Sequence, residues 1–231
     1  MSNIPSMNLM NKLVAFDVDG TLIEGNSQRL LIWHLARNGI LPWPVLTQAL
    51  WWFTKYQLHL TKDTDVAMNK VLEVFSGLPI SKMENLLNEF CTTLIFPRLR
   101  KEAIAEISRH QAAGQKVILV SSSIDYIVQL ICEYVGADGW VATKLEIIEG
   151  RLSGRISGRA VYSKEKFPSL QRYADTKYGT WRLDTAYGDH SSDALLLEQA
   201  INPIAVCPDS KLIRIARLKG WRVVKWCNTR I

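Results

Sequence analysis

Cysteine is sparse and dispersed: the four in this 231-residue chain, Cys91, Cys132, Cys207 and Cys227, form no Cys-x-x-Cys pair and no short-spaced framework. That excludes a disulfide-stapled scaffold and leaves reduced core or surface thiols of the kind a cytoplasmic protein carries. Long apolar runs are lacking as well. The uncharged stretch 40–53 covers fourteen residues and contains Pro42 and Pro44, whereas a membrane-spanning helix needs about 20 apolar residues in a row. Residues 1–11 have neither a basic start nor an apolar centre, so no signal peptide is read there, and positions 1–8 are expected to form a frayed tail. Internal repeats and low-complexity tracts are absent. Acidic residues are the minority among the charges, 22 against 28 basic ones, for a net charge of +6. Such a balance suits anionic partners, whether phosphate esters, nucleic acid or anionic membrane surfaces, without choosing among them.

The composition, 48% hydrophobic and 22% charged, is ordinary for a globular protein, and the length suffices for one α/β domain plus an insertion. The stretch that organises the chain is Leu13-Val14-Ala15-Phe16-Asp17-Val18-Asp19-Gly20-Thr21-Leu22. An apolar run of this length reads as a buried strand of a parallel sheet, which puts Asp17 and Asp19 at its carboxyl end, where such sheets carry their chemistry. Residues two apart on a strand point the same way, so both carboxylates can address one small volume before Gly20 lets the chain turn. Crowded acids repel unless a cation joins them, and a hard metal such as Mg²⁺ is the natural third member. By itself the pentapeptide is equally compatible with a plain turn after a strand.

Asn26 and Ser27 can cap a helix reaching about Arg37, with Gly39 just past its end. Helices are then expected over 44–58 and 62–75, and Ser81-Lys82-Met83-Glu84 matches a capping box opening a fourth to about Cys91. Four successive helices without a strand read as an insertion. From Pro97 onward strands and helices alternate: a helix over 98–113, a strand at 116–120 ending in Ser121-Ser122-Ser123, a helix over 125–135, a strand at 140–142, and a hairpin within 150–158. A helix over 164–178 and a strand at 185–187 follow, then Gly188-Asp189-His190-Ser191-Ser192-Asp193. The chain closes with a helix to about Ala200, a strand at 204–206, a helix capped by Asp209 or Ser210, and a strand at Val223-Val224. Such alternation argues for a doubly wound α/β sheet.

Four motifs in order carry a resemblance that covers about residues 10–226. Asp17-Val18-Asp19-Gly20-Thr21 resembles the first motif of the haloacid dehalogenase superfamily, Ser121 at a strand end its second, Glu165-Lys166 with Leu170 four residues on its third, and Gly188-Asp189-x-x-x-Asp193 its fourth. The chain is most similar to subfamily IB, the phosphoserine phosphatase-like group, including the hairpin ahead of the lysine. The resemblance implies a Rossmann-like core of residues 9–25 and 95–231, with residues 26–94 as an inserted helical cap. It further implies a phosphomonoesterase in which Asp17 attacks phosphorus, giving an aspartyl-phosphate, and Asp19 acts as acid and base. Ser121, its neighbour Ser122, and Lys166, with Lys164 as the fallback, would hold phosphoryl oxygens. Mg²⁺ would be bound by Asp17, the Asp19 backbone carbonyl and Asp189, supported from behind by Asp193. His190 is read as an exposed residue rather than a ligand. One departure bears on substrate: where phosphoserine phosphatases carry a Glu nine positions after the nucleophile to hold the substrate's amino group, this chain has Asn26.

The expected partner is a small phosphorylated substrate, with Mg²⁺ as cofactor, no nucleic acid, and a cytoplasmic location. The basic face of Lys211, Arg214, Arg217 and Lys219 is read as solvated. A second reading comes from Trp43, Trp51, Trp52 and Tyr56 in a segment whose one Lys or Arg between 40 and 60 is Lys55. They suit a membrane interface, which would make the protein a membrane-associated lipid-phosphate phosphatase, similar to phosphatidylglycerophosphate phosphatases, or a non-catalytic docking protein. A buried cap core is the preferred expectation for these rings.

Overall fold

A computed structural model describes residues 10–40 and 72–226, with positions 44, 47, 51 and 69 between them. The helices expected over 44–58 and 62–75 fall largely outside the described residues, as do Trp43, Trp52 and Tyr56.

Six strands form one parallel sheet in the order β3-β2-β1-β6-β7-β8. They are β1 (Asn11–Phe16), β2 (Lys116–Ile124), β3 (Gly139–Thr143), β6 (Trp181–Gly188), β7 (Asn202–Val206) and β8 (Arg222–Val224). Reversal of strand order on either side of β1 opens a crevice at the carboxyl ends of β1, β2 and β6, where doubly wound sheets bind ligands. Strands β1 and β2 are apolar over residues 13–16 and 117–120, where both faces of the sheet are covered. On β1, Val14 and Phe16 face one core with Val117 and Leu119 of β2, while Leu13 and Ala15 face the other with Ile118 and Val120.

The first core is closed by α1 (Ser27–Arg37), α2 (Ile80–Phe90), α3 (Lys101–Ala112) and α4 (Asp125–Val135), through residues such as Leu31, Leu87, Ile107 and Ile131. The second is closed by α5 (Lys166–Tyr178), α6 (Ala194–Leu197) and α7 (Ser210–Lys219), through Leu170, Leu196 and Leu212. An antiparallel hairpin of β4 (Leu145–Ile148) and β5 (Arg151–Ile156) sits apart from the sheet and is tied to the turn Glu73–Phe75 by Gly77 N–H bonding Leu152 O at 2.8 Å.

Three local expectations change. Ser81 does not cap α2: the helix starts two residues earlier than a Ser81 cap would allow, Pro79 occupies the cap position, and no side chain bonds the first amides. The hairpin lies about residues 145–156 with its turn at Glu149 and Gly150, not starting at Gly150, because Leu145, Leu152 and Ile156 are buried and draw both arms inward. β2 does not stop at Val120 but runs through the three serines to Ile124.

Candidate active site

At the end of β1 the Asp17 N–H bonds the Tyr187 carbonyl of β6 at 3.0 Å, so the last ladder bond between the two strands fixes the backbone of the first carboxylate. The Phe16 and Tyr187 rings stack with centroids 4.0 Å apart directly behind it. The chain then turns at Gly20, whose φ of +80° suits glycine, and which also lies against Asp189. A Cβ at position 20 would stand 2.0 Å from Asp189 Oδ2. Gly188 plays the same part toward the other acid, since a Cβ there would stand 2.7 Å from the Asp193 Cβ. Gly20 therefore lets the loops after β1 and β6 approach each other, and Gly188 lets Asp193 fold back against the end of β6.

Asp17, Asp189 and Asp193 each bring a carboxylate oxygen to one point, all within 4.8 Å of one another. Lys166, the first residue of α5, is 3% exposed and places Nζ 2.5 Å from Asp17 Oδ1 and 2.5 Å from Asp193 Oδ1. Lys164 is at the surface. Burial works against the Lys166 ammonium, but Asp17 and Asp193 outweigh it and hold it protonated well above the usual lysine range. One cation among these carboxylates leaves excess negative charge in a dry place. Burial accordingly pushes Asp17 up to about 7 against the pull of Lys166, and raises Asp189 well above its ordinary value with Asp17 and Asp193 adding to the effect. An oxygen-only donor set with uncompensated negative charge fits a hard divalent cation of the Mg²⁺ type.

The Asp19 side chain points elsewhere. Its Oδ1 accepts from Ser27 N–H at 2.7 Å and its Oδ2 from Ser27 Oγ at 3.0 Å, at the amino end of α1. Ser27 Oγ in turn lies 2.8 Å from Ser123 Oγ, and both serines are fully buried. Burial raises Asp19 to about 6, with the two Ser27 bonds opposing it. Asp193 lies beside Asp17 and Asp189, held by Lys166 and by His190 N–H at 3.1 Å to Oδ2. His190 is not simply exposed: its Nδ1 accepts from Ser192 N–H at 3.2 Å, and Nε2 stands 3.3 Å from Asp209 Oδ2.

These groups floor a cavity of about 550 Å³ at the carboxyl edge of the sheet. Ser122 lines it; Ser121 is 1% exposed, its Oγ accepting from Ser123 N–H at 3.1 Å. The wall also includes Arg29, Trp33, Arg98 and Tyr162, which the sequence reading did not single out. Nothing in their spacing marks them, because they come from α1, from the turn Phe96–Arg98 and from the loop before α5, three segments remote in sequence. Trp51, expected in the core, is 60% exposed.

A doubly wound parallel sheet with a lysine-bridged carboxylate cluster at its switch point defines a class of hydrolase. Residues 14–198 match the family model described as haloacid dehalogenase-like hydrolase, and the chain belongs to that family. It is 24% identical to a histidinol-phosphatase of Neisseria meningitidis, covering 94% of this chain and 100% of that protein. It is 25% identical to a phosphoserine phosphatase of Mycobacterium tuberculosis, covering 90% of this chain and 68% of the relative. Among solved structures, a protein of unknown function from Bordetella pertussis Tohama I superposes with a TM-score of 0.85 at 26% identity, over 94% of this chain and 100% of that one. Among the described residues no helix is long and apolar enough to cross a membrane.

Proposed function

We propose that this chain is a Mg²⁺-dependent phosphomonoesterase that hydrolyses a small phosphate ester through an aspartyl-phosphate on Asp17. The observation that carries this reading is Lys166 Nζ bridging Asp17 and Asp193 at 2.5 Å on the floor of the cavity. It keeps the Asp17 carboxylate in place and offers a fixed positive charge to a phosphoryl oxygen beside it. The names of the two curated relatives, both phosphatases, support the same reaction class.

In the first half-reaction Asp17 attacks phosphorus, the new Asp17–phosphorus bond forming as the bond to the leaving oxygen breaks. Asp19 gives that oxygen a proton. In the second, Asp19 takes a proton from a water that attacks the phosphoryl group, returning Asp17 as carboxylate and releasing phosphate. Lys166 neutralises charge on the phosphoryl oxygens, and Ser121 and Ser122 in the carboxyl-terminal half of β2 donate to another. Asp17, the Asp19 carbonyl and Asp189 would hold the metal, with Asp193 beside them, and the bound ion supplies further charge neutralisation. Residues 26–94 would act as the cap over a core of residues 9–25 and 95–231, since α1 contributes Arg29, Leu30 and Trp33 to the cavity wall.

The test is turnover of p-nitrophenyl phosphate with Mg²⁺, with acid-quench trapping of ³²P on the protein. Wild type should turn over and trap label, and Asp17→Asn should do neither while keeping its fold. Turnover by the variant would reject Asp17 as nucleophile. The exposure of Trp51 favours a second reading, in which the aromatic segment meets an anionic membrane and the ester is a lipid phosphate. Under it, Trp51→Ala lowers co-sedimentation with anionic liposomes at an unchanged melting temperature.

A further inference from the structure

Above the carboxylate floor, the cavity wall carries two guanidinium groups that the reaction proposed above does not use. Arg29 stands in the first turn of α1 and is exposed; Arg98 ends the turn Phe96–Arg98 and is half-buried. Among the described residues no carboxylate is paired with either. The Arg98 side chain donates from Nη1 to the Leu94 carbonyl at 2.6 Å, and Arg29 gives only its backbone N–H, to Asn26 Oδ1 at 3.0 Å. Glu24, an acid on the same wall, has a partner of its own. A guanidinium in a cavity without a carboxylate partner favours an anionic ligand, and its planar fork matches a carboxylate or a phosphate bidentately.

Two further features point the same way. The amino end of α1, the positive end of its dipole, faces this cavity and already holds the Asp19 carboxylate through Ser27 N–H. Asn26 is neutral and its Oδ1 is engaged in capping α1, so this position offers no anion to an ammonium group. Leu30 and Trp33 supply apolar surface on the same wall.

We infer that the site selects phosphate esters whose leaving group carries a second anion, a carboxylate or a further phosphate, held by Arg29 and Arg98. This rests on the phosphomonoesterase reading for the position of the reacting phosphoryl group, which lies on the floor against Lys166. The second anion lies at the wall, and a short carbon body passes along Leu30 and Trp33. Arg29 and Arg98 are then specificity residues, distinct from the groups that perform the displacement.

Binding of inert phosphonates separates this inference from the catalytic one, because it needs no turnover. The probes are 3-phosphonopropionate and propane-1,3-bisphosphonate, each compared with propylphosphonate by isothermal titration on the full chain with Mg²⁺. At least one second-anion ligand should bind about tenfold or more tightly than propylphosphonate, the effect of one charge-assisted hydrogen bond. Whichever wins identifies carboxylate or phosphate as the natural group. In Arg29→Gln and Arg98→Gln that preference should shrink, and in the double variant it should vanish. The exposed Arg29 keeps the test decisive should the Arg98 variant fold poorly. Equal binding of all three ligands to wild type overturns the inference, as does a preference that survives in the double variant. If the arginines served only the reacting phosphoryl group, their replacement would weaken all three ligands alike, which also overturns it. Failure of p-nitrophenyl phosphate turnover, by contrast, strikes the phosphatase reading and leaves these affinities to be judged by themselves.

Discussion

Ser27→Ala isolates the proton transfer from the rest of the reaction. The Ser27 hydroxyl donates to Asp19 Oδ2 at 3.0 Å in a fully buried position, and its removal leaves Ser27 N–H on Oδ1 at 2.7 Å. A hydrogen bond to a charged group is worth about 1.5–3 kcal/mol. With the second bond retained, the low end applies, about 1.5 kcal/mol or about tenfold in rate. The loss should depend on the leaving group. The alkoxide of glycerol 2-phosphate must be protonated as it departs, whereas p-nitrophenolate leaves without help, and kcat/KM reports only the steps through departure. The expected result is about a tenfold fall in kcat/KM for the alkyl ester and no more than about threefold for the aryl ester, with kcat lowered for both wherever water attack limits. Equal falls in kcat/KM would show that Ser27 shapes the site without orienting the acid. No fall for the alkyl ester would remove Asp19 from that role.

Lys166→Ala should nearly abolish activity, and in metal-free buffer should lower stability by about 3–5 kcal/mol, since it leaves two buried carboxylates without their cation; Lys164→Ala, at the surface, should do neither, and the opposite order in assays and thermal melts would displace Lys166. Gly20→Ala should impair turnover and raise the Mg²⁺ concentration needed for half-maximal activity, because its Cβ would stand 2.0 Å from Asp189 Oδ2; a wild-type Mg²⁺ titration would reject the spacing argument. Tyr187→Phe removes a hydroxyl that donates to Glu106 Oε2 at 2.8 Å and lies 2.8 Å from His110 Nε2. It should cost about 1–3 kcal/mol in chemical denaturation, and an unchanged midpoint would show that water replaces it.

The strand-end groups were legible because their chemistry and their fold share one signal. A short apolar run followed by Asp and Gly announces both a buried parallel strand and the carboxylate at its end, and the same holds at Tyr187-Gly188-Asp189. Lys166 was separable from Lys164 in the sequence only by its register to Leu170. In the structure the reason is helical: Lys166 and Leu170 are one turn apart on the buried side of α5, and Lys164 precedes the helix. The helix stop at Gly39 was readable for the same kind of reason, that glycine having positive φ.

What could not be read arises from contacts between distant segments. Ser27 looked like a helix start and no more, because Asp19 and Ser123, which give it a role, lie 8 and 96 residues away. The capping-box pattern at Ser81 misled because Pro79, which has no N–H to satisfy and a φ of −59°, already serves as an entry to α2. Arg29 and Arg98 line one cavity but come from α1 and from the turn Phe96–Arg98, so no local window contains both. The motifs proposed to carry the chemistry are therefore local, and the residues proposed to select the substrate are not. That division is physical: the proposed reaction needs a few groups at fixed positions on rigid strand ends, whereas the proposed contacts to the leaving group come from α1 and from the turn Phe96–Arg98, two segments far apart in the chain.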